Sequence, residues 1–179
     1  MERAGVAFEE SEREQWSFAP FLSVGPLRFG MSRDEVVAAL GNELPGVEVP
    51  GEWAMFHLPS SRGHAVTTYF AASGTLASVA IDALRGPQVA LGDLRLVGQV
   101  PSKLADQFAD YVSGQGLDGA IRCSQYGDLG ADALGVVLRA QRAGDILLSR
   151  PVFVAREWAD RVCDAWEGHV PQEEWRVYC

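Results

Sequence analysis

The sequence predicts an α+β fold: a tandem duplication of a β-α-β-β-β unit, an antiparallel sheet with helices on one face, and a C-terminal helix. Three observations carry this. The chain repeats itself, since Val24-Gly25-Pro26-Leu27-Arg28-Phe29 recurs 67 residues later as Leu91-Gly92-Asp93-Leu94-Arg95-Leu96. Glycines stand where two hairpins must turn, at Ser73-Gly74 and Ala143-Gly144, and glycine accepts positive φ without a steric penalty. Ser32-Arg33-Asp34-Glu35 is a capping box that opens a helix. The chain has 179 residues, 47% of them hydrophobic and 22% charged, enough for one compact domain with a substantial core.

The elements follow in order. Residues 1–20 form an N-terminal arm, acidic at Glu9, Glu10, Glu12 and Glu14, and expected to be a loose segment or short helix anchored by Trp16 and Phe18. The first repeat spans 21–88 and the second 89–151. In each, a short strand (24–29, then 91–96) passes through a glycine turn into a helix (33–40, then 102–113). Met31 and Val36 are placed as a hydrophobic staple on the first helix, and Pro101 suits the first position of the second. A strand near 52–58, matched by 120–126, precedes the closing hairpins, 65–71 with 76–82 and 134–141 with 146–150. Val66-Thr67-Thr68-Tyr69-Phe70 falls on Val136-Val137-Leu138-Arg139-Ala140, and Gly74 falls on Gly144. Residues 152–179 complete the chain as a C-terminal helix and tail, with Val154, Trp158, Val162, Ala165 and Trp166 at helical spacing.

Charge and composition narrow the function. Fifteen basic against 24 acidic residues give −9, which repels phosphate backbones and argues against nucleic acid as a partner. No apolar run reaches the roughly 18 residues a membrane span needs, and the start lacks a basic stretch followed by an apolar one. A cytoplasmic protein without a membrane partner is expected. The three cysteines, Cys123, Cys163 and Cys179, form no Cys-x-x-Cys pair, so free thiols are expected, with Cys123 and Cys163 as small buried hydrophobes. Lys103 is the sole lysine in a chain rich in Ala, Gly and Arg, a bias of GC-rich bacterial genomes.

Catalytic signatures are sparse. Gly114-Gln115-Gly116-Leu117-Asp118-Gly119 fits G-x-G-x-x-G, but it follows a helix, where glycines stop the helix and turn the chain. His57, His64 and His169 are too scattered for a zinc site, and nothing local supports a Cys123–His57 thiol–imidazole pair. The chain is therefore read as a non-enzyme, with no catalytic residue, metal or cofactor.

The helix-free face of the sheet is the better candidate. Strand alternation turns Val66, Thr68 and Phe70, and likewise Val136, Leu138 and Ala140, toward the core. Tyr69, Arg139 and Gln141 then point outward, toward a partner or, in the alternative, under the N-terminal arm or a C-terminal tail lying over the sheet. In strand 52–58 alternation decides less: with Ala54, Phe56 and Leu58 toward the core, Trp53, Met55 and His57 lie outside with Arg122 and Ser124 from the second copy. The partner-binding set is Trp53, Met55, His57, Tyr69, Arg122, Arg139 and Gln141, types that include those enriched at protein interfaces.

Gly30-Met31-Ser32-Arg33-Asp34-Glu35-Val36-Val37-Ala38-Ala39-Leu40-Gly41 resembles the Gly-Met-Thr/Ser helix start of the beta-lactamase inhibitor protein and small outer-membrane assembly lipoprotein superfamily. The resemblance implies a tandem of helix-plus-sheet units whose concave sheet grips another protein. It leads to the expectation of a bacterial immunity protein that neutralises a cognate toxin by occluding its active cleft. A general interaction or scaffold protein using the same face is the alternative, and a small-ligand binder or enzyme with its site in the concavity is the third reading.

Overall fold

A computed structural model describes residues 7–61, 63–161 and 174 of the chain. The first half contains β1 (Gln15–Ala19), β2 (Ser23–Val24), β3 (Leu27–Arg28), α1 (Arg33–Ala39), β4 (Val47–Val49), β5 (Trp53–His57), β6 (His64–Phe70) and β7 (Leu76–Ile81). The second contains β8 (Gln88–Leu91), β9 (Leu94–Arg95), α2 (Pro101–Gly114), β10 (Ile121–Cys123), β11 (Leu129–Ala131), β12 (Val136–Ala143) and β13 (Ile146–Val154). From β2 onward the two halves present the same order of elements: a short hairpin, a helix and four strands.

The fold is α+β, with mostly antiparallel strands in two sheets. The larger has eight strands in the order β10-β11-β12-β13-β7-β6-β5-β4, so the last strands of the two halves meet at its centre, with Val152 opposite Ala80. The smaller has five, β3-β2-β1-β8-β9, in which β1 runs parallel to β8. This second sheet departs from the sequence reading. The acidic first part of the arm has the expected short helical turn, at Glu10–Glu12, but the anchoring stretch with Trp16 and Phe18 is the sheet's middle strand, fixed by pairing with residues about 70 positions away, such as Gln15 with Gln88. Stretches 24–29 and 91–96 are each a tight hairpin rather than one strand, turning at Gly25 (φ 55°) and Gly92 (φ 59°).

Both helices and the small sheet cover one face of the large sheet. Val36 and Leu40 of the α1 region, Leu104, Phe108 and Val112 of α2, and Phe18 and Val24 of the small sheet share one buried apolar cluster with Phe56, Val66, Leu138 and Phe153 of the large sheet. The Phe18 and Phe153 rings join the two sheets at 4.5 Å between centroids. Arg13, itself buried, ties the start of β1 to the chain after β7 by donating to the Gly86 and Ala83 carbonyls at 2.6 and 2.8 Å. Burial lowers its pKa, while Glu10 and Asp82 oppose that shift.

Local signals in the sequence hold where they rest on neighbouring residues. Ser32 Oγ accepts from the Glu35 amide at 3.3 Å, and Glu35 Oε2 accepts from the Ser32 amide at 2.8 Å. Pro101 occupies the start of α2, and Gly116 (φ 70°) and Gly119 (φ 83°) turn the chain after it. The C-terminal helix is corrected in part: β13 continues through Val154, and a 3-10 turn follows at Arg156–Arg161. The remainder of that expected helix, with Val162, Ala165 and Trp166, lies outside the described residues. Cys123 is exposed rather than buried because β10 is an edge strand; Cys163 and Cys179 are not among the described residues. Among the described residues no helix is long and apolar enough to cross a membrane.

Candidate protein-binding face

Strand register assigns the faces as alternation predicts. Trp53 pairs with Tyr69 and Met55 with Thr67, so these side chains share the face away from the helices. Across the sheet, Arg139 pairs with Arg150 and Gln141 with Leu148. Arg122 pairs with Gly130, which pairs with Val137, placing Arg122 on this face too. The seven residues do not form one patch, however. Six strand spacings separate β5 from β10, roughly 29 Å at about 4.8 Å each.

The β4–β5 edge hairpin is open in part. Trp53, Met55 and His57 are half-buried on its outer side. Val47 pairs with Met55 and Val49 with Trp53, so the two valines of edge strand β4 extend the same apolar surface. They are 47% and 37% exposed, which makes this surface reachable by a partner. Sequence reasoning missed both valines because a three-residue strand between Pro45 and Pro50 carries no periodicity to read. The glutamate between them turns to the other side, where Arg33 holds Glu48 through two hydrogen bonds of 2.8 Å. At the far end of β5, the His57 and His64 rings lie 4.6 Å apart beside a bulge. Burial, then the neighbouring His57, lowers the pKa of His64.

The centre of the face is closed, which corrects the expectation that Tyr69, Arg139 and Gln141 are open to solvent. All three are buried. Tyr69 packs with Ala80, Val137, Val152 and Val154 in a second apolar cluster flanked by Phe21, Trp53 and Trp158. Beside it, Glu174 is fully buried among the polar side chains. Arg150 grips its carboxylate with two hydrogen bonds, Nε to Oε2 at 3.0 Å and Nη2 to Oε1 at 2.8 Å. The Tyr69 hydroxyl donates to Oε1, and Arg139 Nη1 donates to the main-chain carbonyl of Glu174. Burial alone would raise the Glu174 pKa, but Arg150, Tyr69 and Arg139 together hold it below the ordinary carboxylate value.

The rest of the network holds the two arginines. Asp128 accepts from Arg139 Nε at 3.3 Å, and Asp82 lies 3.8 Å from Arg150 Nη1. Gln141 spans the cluster: Oε1 accepts from the Ala83 amide at 3.0 Å, and Nε2 donates to Asp82 at 2.8 Å. Arg150 and Glu174 escaped the sequence reading, although a signal for them existed. A hairpin turning at Ala143-Gly144 sets Arg139 opposite Arg150, and like charges facing each other across a buried ladder require an anion.

Arg122 stands apart on the opposite edge hairpin, exposed, with Nη1 donating to Asp132 at 2.6 Å. Ser124 is buried, its hydroxyl bonded to Asp128 at 3.1 Å. On the helix side of this half, a cleft of about 180 Å³ opens between α2 and β11–β12, lined by Leu104, Ala105, Tyr126, Leu129 and Leu138. Among the described residues, no group of three or more His, Cys, Asp or Glu side chains could hold a metal ion. No protein-family model, no curated protein and no solved structure matches this chain.

Proposed function

We propose that this protein is a cytoplasmic protein-binding module, and specifically an immunity protein that neutralises a cognate bacterial toxin by covering its active cleft. The observation that carries the proposal is the apolar outer surface of the edge hairpin, where Val47, Val49, Trp53 and Met55 share one face and the two valines stand open. Aromatic and methionine side chains at the rim of a sheet bury well against a partner, and β4, an edge strand among the described residues, can accept a further strand. The net charge of −9 favours a cationic partner by steering its approach. The common order of elements in the two halves, a hairpin, a helix and four strands, supports descent from one duplicated unit, larger by two strands than the β-α-β-β-β expected from sequence and in keeping with the Gly-Met-Ser resemblance.

The test is affinity capture with the tagged full chain, including proteins encoded beside its gene, followed by the same capture with Val47→Lys. Recovery of one stoichiometric toxin-like neighbour, inhibited by the protein and lost with Val47→Lys, is the expected result. Capture unaffected by a charge at this position removes the edge hairpin as the contact. A partner without toxin activity supports the general interaction reading instead. The cleft between α2 and β11–β12 favours a second reading, a small apolar ligand, because its lining is largely aliphatic. A ligand screen read by thermal shift, with Ala105→Trp to fill the cleft, tests it.

A further inference from the structure

Glu174 contacts the sheet as a ligand contacts a receptor. Its carboxylate meets a two-pronged guanidinium and a phenol, and its main-chain carbonyl meets a second guanidinium. The site therefore reads both ends of one glutamyl residue, side chain and backbone. Its walls belong to β6, β12 and β13, paired strands of the large sheet, whereas Glu174 lies outside every strand of that sheet. The walls also have supports of their own. Asp128 holds Arg139, Asp82 and Gln141 hold Arg150, and the Ala83 amide fixes Gln141. These contacts hold both guanidinium groups in place without passing through Glu174.

We propose that Tyr69, Arg139 and Arg150 form a receptor for a glutamate-bearing peptide segment of the partner protein, which Glu174 occupies in cis and which the partner's glutamate occupies in trans. The proposal rests on the protein-binding reading above and gives that face a partner chemistry and a built-in competitor. Net negative charge steers a cationic partner from a distance, while two buried arginines select a carboxylate at contact. The two effects act on different length scales, because exposed charges are screened beyond about 8 Å at physiological salt. A bidentate arginine pair also supplies the planar geometry that a carboxylate matches and a point cation does not provide.

The test uses the full chain carrying Glu174→Ala and a fluorescent, end-blocked peptide with the sequence of residues 172–178, Gln-Glu-Glu-Trp-Arg-Val-Tyr. Fluorescence anisotropy should show saturable binding to the variant and at least about tenfold weaker binding to the unaltered chain, whose own residue competes. Replacing the peptide's second glutamate by alanine, or adding Arg150→Met to the protein, should each weaken binding by a similar factor. Glu174→Gln keeps the side chain's size and provides the same readout if the alanine variant does not fold. A folded variant that does not bind, or that binds glutamate and alanine peptides equally, overturns the receptor. Failure of both variants to fold also overturns it, since Glu174 is then a fixed part of the sheet. A failed peptide assay beside successful partner capture rejects the receptor alone and leaves the edge hairpin in place.

Discussion

The two faces of the large sheet solve the problem of burial by different means. The helix side is a dry apolar core, where Phe56, Phe108 and Phe153 are fully buried among aliphatic side chains. The other side has a small apolar cluster around Tyr69 and Val152, then a network of two arginines, three carboxylates and a glutamine. An apolar core is indifferent to pH and partner, and its stability follows the area removed from water. A buried ionic network is satisfied only while every member is present, because a stranded charge costs more than the pair contributes. The first arrangement suits permanence and the second suits exchange.

Two substitutions separate the faces by magnitude and by pH. Phe108→Ala should destabilise the protein by about 3–5 kcal/mol through lost transfer energy and a residual cavity, equally at neutral and acid pH. Glu174→Gln should cost less, about 1.5–3 kcal/mol at neutral pH, since it removes charge-assisted hydrogen bonds but keeps the volume. Its effect should depend on pH with a definite sign. The Glu174 pKa is lowered in the folded state, so its stabilisation is complete above the unfolded value of about 4.3 and is lost as pH falls through the folded value. Denaturant unfolding at pH 7 and at successively lower pH should show the wild-type and Glu174→Gln curves converging in acid. A constant gap would mean that the carboxylate of Glu174 contributes nothing as a charge.

The next effect is smaller and local. Ser32→Ala removes the side-chain acceptor at the start of α1 and should cost about 1 kcal/mol, without changing the pH dependence of either face. A much larger loss would show that the α1 start, which Ser32 bridges to Thr75 of the β6–β7 turn, anchors more than its own helix.

These features differ in how far the sequence reveals them, and the difference follows the range of the interaction. The capping box at Ser32–Glu35, the turns at Gly74 and Gly144, and the in–out alternation of 66–70 and 136–140 involve neighbours along the chain, and all were legible. The five-stranded sheet was not, because β2, β3 and β9 are two residues long and β1 is defined by a parallel partner in the other half. Helical spacing misled at Val154, since an apolar residue at the end of a buried strand fits either period. Of the candidate face, its composition was legible, and a covering terminal tail was one of the alternatives, but not which residues it would cover or through which contact. Tyr69, Arg139 and Gln141 point as alternation requires, but whether such residues meet solvent depends on what the topology brings to them: Trp53 and Trp158 beside Tyr69, Glu174 against Tyr69 and Arg139, and Asp82 and Ala83 against Gln141. The facing pair Arg139 and Arg150 was the one available sign that an anion would be found there.

The smallest expected change in stability carries the sharpest functional consequence. Val47 is half exposed on a strand that is an edge of the sheet among the described residues, so Val47→Lys should alter unfolding free energy by no more than about 0.5 kcal/mol. A lysine on an edge strand is also a common natural device against further pairing, so the same change should abolish partner capture if β4 and its valines are the contact. Glu174→Gln acts in the opposite sense: it loosens the cis occupant and should strengthen capture if a glutamate from the partner enters the same site. The double variant decides which contact dominates. If capture remains lost, the apolar edge is the primary anchor and the arginine site only adjusts its affinity. Restored capture would place the anchor at Arg139 and Arg150 instead, with the edge hairpin as its rim.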